Sequence, residues 1–463
     1  MPSLQRPAFS GSLPTALIGP DRRADAVEAS TSTGPVIEDR HRLAREFADT
    51  IERIRSLEGF DSFGAVPTPE ELIAQAHHGP LVVFTTGREW CDALLVTASG
   101  ITHLNLIGVT GQIVADTAAS FHRAQATVLH AAGRSERVAA EKRLGTTLEW
   151  LWDAVTGPVL HALGYHDEPA EGRPWPRVWW IPDGPLGLLP LHAAGHHSDP
   201  AGHGRRTVMD RVVSSYTPTV RALAYSRRAA DGVPAPTASS LVVAMPTTPG
   251  LPGGQTLPHV ADEADAARRH LPDSTVLRTP AFDADADADD VDPSMLPTAE
   301  RVLQRLPSCA IAHFACHGTS DPTDPSQSRL LLYDHARNPL TVTSLGPLRL
   351  EGARLAYLSA CSTAAIKTGD LIDEAIHVAS AFQLAGFPHV VGTLWEINDR
   401  IAVTVADRFY THLRDPDGNL DPGRAACALH ATVREVRDGA DLPEGYDRTA
   451  VPSLWAAYLH TGA

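Results

Sequence analysis

Long apolar runs are missing from this 463-residue chain. No stretch reaches the roughly 18 apolar residues a membrane-spanning helix needs, so such a helix is excluded. Lysine is nearly absent: of 39 basic residues only Lys142 and Lys367 are lysines, against 55 acidic ones, for a net charge of −16. That balance argues against sequence-independent nucleic-acid binding, which draws its affinity from basic side chains. Cysteine is scarce and odd in number, at five, with no CxxC pair. A disulfide framework and a Cys-rich zinc site are therefore disfavoured. Several catalytic signatures are absent as well. No GxxxxGK[ST] or GxGxxG follows a strand pattern, no GxSxG elbow occurs, and no HExxH helix exists. The adjacent pairs His77/His78 and His196/His197 read as loop histidines, because neighbouring imidazoles rarely reach one ion.

What is present is ample core material. Hydrophobic residues make up 43% of the chain, and its length suggests two or three compact units. Residues 1–37 are rich in Ser, Pro, Thr and Ala without periodicity and read as a disordered tail with no secretory signal. Residues 38–77 form a helical segment: Leu43, Phe47, Ile51 and Ile54 fall at helical spacing, and Thr68-Pro69-Glu70-Glu71 is a capping box. Residues 78–231 read as a first α/β part. It holds a strand meander at 81–85, 92–97 and 101–106, a helical stretch from 117 to 163, the strand RVWWIP at 177–182, and an exposed loop over 195–209. The Pro/Ala-rich stretch 232–239 is a linker. Residues 240–463 alternate strands (241–245, 309–315, 328–333, 355–358, 389–394) with helices (262–271, 299–306, 373–385, 400–413). That alternation predicts a mostly parallel sheet flanked by helices. The six aspartates between 283 and 292 lack the Gly and closing Glu of a calcium loop and read as a solvated acidic loop.

Two strand ends carry reactive side chains: His317 after AIAHFAC, and Cys361 after LAYLSA. Ligands bind at the carboxyl ends of strands in open α/β sheets, and a His and a Cys meeting there suit thiolate chemistry. The alternative is packing, since a lone Cys is more often structural. Cys91, Cys309 and Cys427 take that reading. Cys316 alternates with His317 and faces the other side of its sheet, and His313 reads as a satisfied core histidine.

The blocks HFACHG (313–318), YLSACST (357–363) and DEAIHVASAFQLAGFPHVVGTLWEIND (373–399) closely resemble the CHAT family, caspase-like cysteine peptidases related to separases. WIPDGPLGLLPLHAAG (180–195), SYTPTVRAL (215–223) and LVVAMPTTPGLPG (241–253) fit in order and spacing. Residues 43–83 resemble the region preceding the domain in many members. The resemblance implies a caspase-like fold and a cysteine endopeptidase with His317 as general base and Cys361 as nucleophile. Backbone N–H groups of Gly318 and Cys361 would form the oxyanion hole, with no metal or cofactor. Some relatives place an acid two residues before the nucleophile. Here that position is Ser359, so an acidic pocket would come from Asp370, Asp373 or Glu374, with Asp370 the expected acid for cleavage after a basic residue. A cytoplasmic location, a protein substrate, and an activating or inhibitory protein partner acting in trans are further implications. So is a pseudo-protease role for residues 78–231. The competing expectation is a caspase-fold scaffold or binding module without turnover.

Overall fold

The computed structural model describes residues 34–56, 65–202, 204–231, 239–251, 256–279, 292–319, 321, 324–359, 377–439 and 448–463. Residues 1–66 and 67–463 are separate compact units. In the first, α1 (Gly34–Arg55) carries Leu43 and Phe47 exposed on its surface.

The second unit opens with α2 (Pro69–Ala74), capped as its sequence predicts. The Thr68 hydroxyl accepts the Glu71 N–H at 3.2 Å, and the Glu71 carboxylate accepts the Thr68 N–H at 2.8 Å. The meander follows as β1 (Leu81–Thr86), β2 (Cys91–Thr97) and β3 (Gly100–Asn105). The helical pattern expected from 117 begins earlier and divides into α3 (Gly111–His130), α4 (Arg134–Leu151) and α5 (Gly157–Ala162). A π turn over 152–156 separates α4 from α5. Next come β4 (Arg177–Ile181), β5 (Val213–Tyr216), α6 (Val220–Asp231), β6 (Ser240–Ala244), α7 (Val260–His270), β7 (Ser274–Arg278) and α8 (Ala299–Arg305). They are followed by β8 (Ile311–Ala315), β9 (His317–Thr319), β10 (Arg329–Leu331), β11 (Leu340–Thr341), α9 (Val342–Leu345) and β12 (Leu355–Leu358). The last elements are α10 (His377–Ala385), β13 (His389–Thr393), α11 (Asp399–His412), α12 (Ala425–Arg437) and β14 (Tyr458–Gly462).

Among the described residues, eleven strands form one sheet in the order β3-β2-β1-β4-β5-β14-β13-β12-β8-β6-β7. Neighbours are parallel except β3/β2, β2/β1 and β14/β13. The antiparallel β13/β14 ladder reverses strand direction midway, so β1, β4 and β5 run opposite to β6, β8, β12 and β13. The Pro182–Gly187 turn after β4 therefore lies at the end of the sheet opposite to His317 and Ser359. Apolar side chains alternate to both faces. One face packs under α3, α4, α7, α11 and α12, the other under α8 and α10 in the second half and α2 and α6 in the first.

Two expectations are corrected. Residues 195–209 are an exposed loop only in part: Ser198, Pro200, Ala201, Gly202, Gly204 and Arg206 are exposed, but His197, Arg205, Thr207, Val208 and Met209 are buried. Gly195 (φ 154°) allows the close approach, since an added Cβ there would stand 2.6 Å from the Thr207 Cα. Arg205 is buried because it joins an ion network. It reaches Asp438 at 2.9 Å, and Arg437 reaches Asp210 through two bonds of 2.9 Å. Cys427 is not a core residue but is exposed on α12. The acidic stretch 283–292 lies almost wholly outside the described residues.

Candidate active site

The parallel pair β8/β12 sets the site. Leu355, Ala356, Tyr357 and Leu358 stand opposite Ile311, Ala312, His313 and Phe314. Odd-numbered positions share one face. The His313 imidazole stacks on the Tyr357 ring, with centroids 4.8 Å apart and planes 6° from parallel. Even-numbered Ala312, Phe314, Cys316, Ala356 and Leu358 pack into the opposite core. Cys316 thus packs on the side of the sheet away from His313.

His313 is fully buried and held from three sides. Its Nδ1 lies 3.0 Å from the Tyr410 hydroxyl on α11, its Nε2 lies 3.2 Å from the Glu263 carboxylate on α7, and Tyr357 covers its face. Burial, and after it the charge of Glu263, holds the Tyr410 phenol well above its usual pKa. Burial likewise raises Tyr357, with Tyr458 and Glu263 adding to the effect. His313 is a core residue, as expected, but only half satisfied: its Nε2 and the facing Glu263 Oε1 approach outside hydrogen-bond geometry, and neither atom has a hydrogen-bond partner among the described residues. Glu263 and Tyr410 went unnoticed in the sequence, where each is one polar position of an amphipathic helix.

His317 is 8% exposed and starts β9. Its backbone is fixed by a small antiparallel sheet, with His317 opposite Leu331 and Gly318 opposite Leu330. Ser359 closes β12. It is buried, and its hydroxyl has no hydrogen-bond partner among the described residues. Cys361, Asp370, Asp373 and Glu374 lie outside the described residues. On the other side of β12, Tyr357 pairs with Val391 of β13. Four residues beyond Val391, Trp395 is buried edge-on against Phe121, with centroids 5.5 Å apart, and its indole N–H donates to the Ser453 carbonyl at 3.3 Å.

The remaining thiols sort by environment. Cys91, Cys309 and Cys316 are buried. Burial pushes the Cys91 and Cys309 thiols up, which suits inert packing residues. Among the described residues, no group of three or more His, Cys, Asp or Glu side chains could hold a metal ion, and no helix is long and apolar enough to cross a membrane.

A large, mostly parallel sheet covered by helices on both faces is the architecture of caspase-like cysteine peptidases. The chain belongs to the CHAT domain family, whose model matches residues 145–463. Two solved structures of the separase–securin complex of Saccharomyces cerevisiae share its fold. In the first the TM-score is 0.55 at 10% identity, over 85% of this chain and 30% of the other. In the second the TM-score is 0.51 at 10% identity, over 85% and 31%. The chain thus spans about a third of the length of those relatives. The Arg-specific cysteine proteinase gingipain R superposes with a TM-score of 0.39 at 10% identity, over 67% of this chain and 68% of its own. No curated protein matches the chain.

Proposed function

We propose that the protein is a cysteine endopeptidase working through His317 and Cys361. Strand register carries this reading. His313 and Tyr357 are a paired rung with stacked side chains. His317 and Cys361 each stand four residues beyond that rung in the chain, so both follow the carboxyl ends of adjoining parallel strands, where ligands bind in open α/β sheets. In the proposed reaction, the His317 imidazole takes the thiol proton and the Cys361 thiolate attacks a peptide carbonyl. Backbone N–H groups of Gly318 and Cys361 hold the oxyanion. The imidazolium then protonates the departing amine, leaving a thioester that water hydrolyses to free acid and thiol.

Ser359 supplies no charge to the substrate pocket. Asp370, with Glu374, is the proposed source of selectivity for Arg or Lys before the scissile bond, which digestion of a peptide library would show as enrichment at the cut. The separase relative is in complex with securin. By extension, a protein partner in trans is the proposed regulator.

Iodoacetamide labelling tests the dyad, with exposed Cys427 as internal reference. Cys361 should alkylate at least about tenfold faster than Cys427 near pH 7, and His317→Ala should remove the difference. Equal rates in the unaltered protein would instead favour a scaffold that has kept the fold without turnover.

A further inference from the structure

A cleft of about 950 Å³ opens between α4, residues 195–198 and residues 449–452. Small-molecule sites typically enclose about 300–1,000 Å³. Arg134, Arg137, Val138, Glu141, Lys142 and Glu149 line it from one stripe of α4. The two carboxylates are already engaged. Glu141 is buried, burial raises its pKa, and it accepts the Ser453 hydroxyl and, at 3.3 Å, the Ser453 N–H. Glu149 lies 3.9 Å from the imidazole of His196. The cations are less committed. Arg137 donates to the Ala131 carbonyl at 3.2 Å, and neither Arg134 nor Lys142 is paired with a carboxylate among the described residues. Val138, an apolar side chain on the same stripe, is 60% exposed.

A second observation comes from the opposite wall. His197 is only 6% exposed and packs edge-on against Trp455, with ring centroids 4.6 Å apart. Its Nε2 donates to the Ala193 carbonyl at 2.8 Å, so its Nδ1 carries a lone pair. Burial, reinforced by Arg437, pushes its pKa down to about 3 and keeps the ring neutral. That Nδ1 is closed off from solvent and has no hydrogen-bond partner among the described residues, so a ligand's donor reaches it by a turn of the ring toward the cleft. A buried acceptor left unmatched costs about 1–3 kcal/mol, a cost that a ligand's donor would remove.

We propose that this cleft binds a small organic anion with an apolar body and an N–H or O–H donor. The acid group meets Arg134, Arg137 and Lys142, the body covers Val138, and the donor is accepted by His197 Nδ1. This site is separate from the His317 strand end and stands or falls independently of the proposed peptidase activity. Its wall does reach the catalytic half of the sheet, because Ser453, bonded to Glu141, also accepts the indole N–H of Trp395.

8-Anilinonaphthalene-1-sulfonate combines a sulfonate, aromatic rings and an N–H donor, and serves as the probe on the full chain at low salt. Fluorescence titration should show one saturable site. Replacing the three exposed cations together (R134Q, R137Q and K142Q) should weaken it at least about tenfold, with the circular dichroism spectrum and melting temperature unchanged. 1-Naphthalenesulfonate, which lacks the N–H, should compete about tenfold more weakly in the unaltered protein. In His197→Phe the two compounds should bind alike. An unchanged titration in the triple variant, or equal binding of the two sulfonates to the unaltered protein, would overturn the assignment.

Discussion

The imidazole of His313 lies flat on the phenol ring of Tyr357, 4.8 Å away and within 6° of parallel, because the two residues are partners on adjoining parallel strands. That contact fixes which positions of β8 and β12 share a face. Phe314 and Leu358, one step on, point into the opposite core. Ser359 follows the end of β12, and His317 follows the end of β8 as the first residue of β9 in the separate β11-β10-β9 sheet. The stacked pair is thus the scaffold beneath the proposed dyad rather than part of its chemistry. The Tyr410 hydroxyl meets the His313 Nδ1 with a hydrogen bond, and the Glu263 carboxylate faces Nε2 without one.

Removing Glu263 should therefore damage the fold beneath the site. The carboxylate is 1% exposed and lies against a fully buried imidazole, so Glu263→Ala leaves His313 Nε2 facing a void. Leaving a buried polar group without the group that faces it costs about 1–3 kcal/mol. Urea denaturation should show a loss of that order for Glu263→Ala. A change below about 1 kcal/mol would mean that the contact contributes little.

Stability should fall steeply as pH drops below about 6.5. Burial lowers His192 to about 4 and His389 to about 3, and His197 behaves likewise. In the unfolded chain these imidazoles take up protons as pH passes through about 6.5, whereas the folded protein resists until pH 4 or 3. Their contribution is complete above pH 6.5 and is lost progressively below it. Each contributes a slope of up to about 1.4 kcal/mol per pH unit near pH 5. Chemical denaturation from pH 7 to 4.5 should show the combined slope, and His192→Gln should reduce it by about one such increment.

Gly462 should tolerate no side chain. Its φ is 115°, and an added Cβ would collide with the Pro388 carbonyl oxygen. Its own carbonyl accepts the Trp179 indole N–H at 2.8 Å. It belongs to β14, the strand that joins β5 to β13 and so unites the two halves of the sheet. Gly462→Ala should cost at least about 2 kcal/mol, read as a melting-temperature drop of several degrees.

Local pattern determined much of this protein. Short apolar runs placed β1, β4, β6, β8 and β12, alternation turned Cys316 into the core, and depth in its strand marked His313 as a core residue. The Thr68–Glu71 capping box forms as written. Loop composition misled at 195–209, where polar residues are buried because Arg437 and Asp438 arrive from more than 200 residues away to pair with Asp210 and Arg205. Cys427 was misplaced for a related reason: which stripe of α12 faces the sheet depends on what α12 packs against. Only the tertiary structure decided that β14 enters the middle of the sheet and reverses its direction, and that Glu263 of α7 meets His313. Periodicity is a property of one segment and shows which side of it avoids water. Pairing partners are chosen among distant segments by register and packing, and no single segment's pattern encodes that choice.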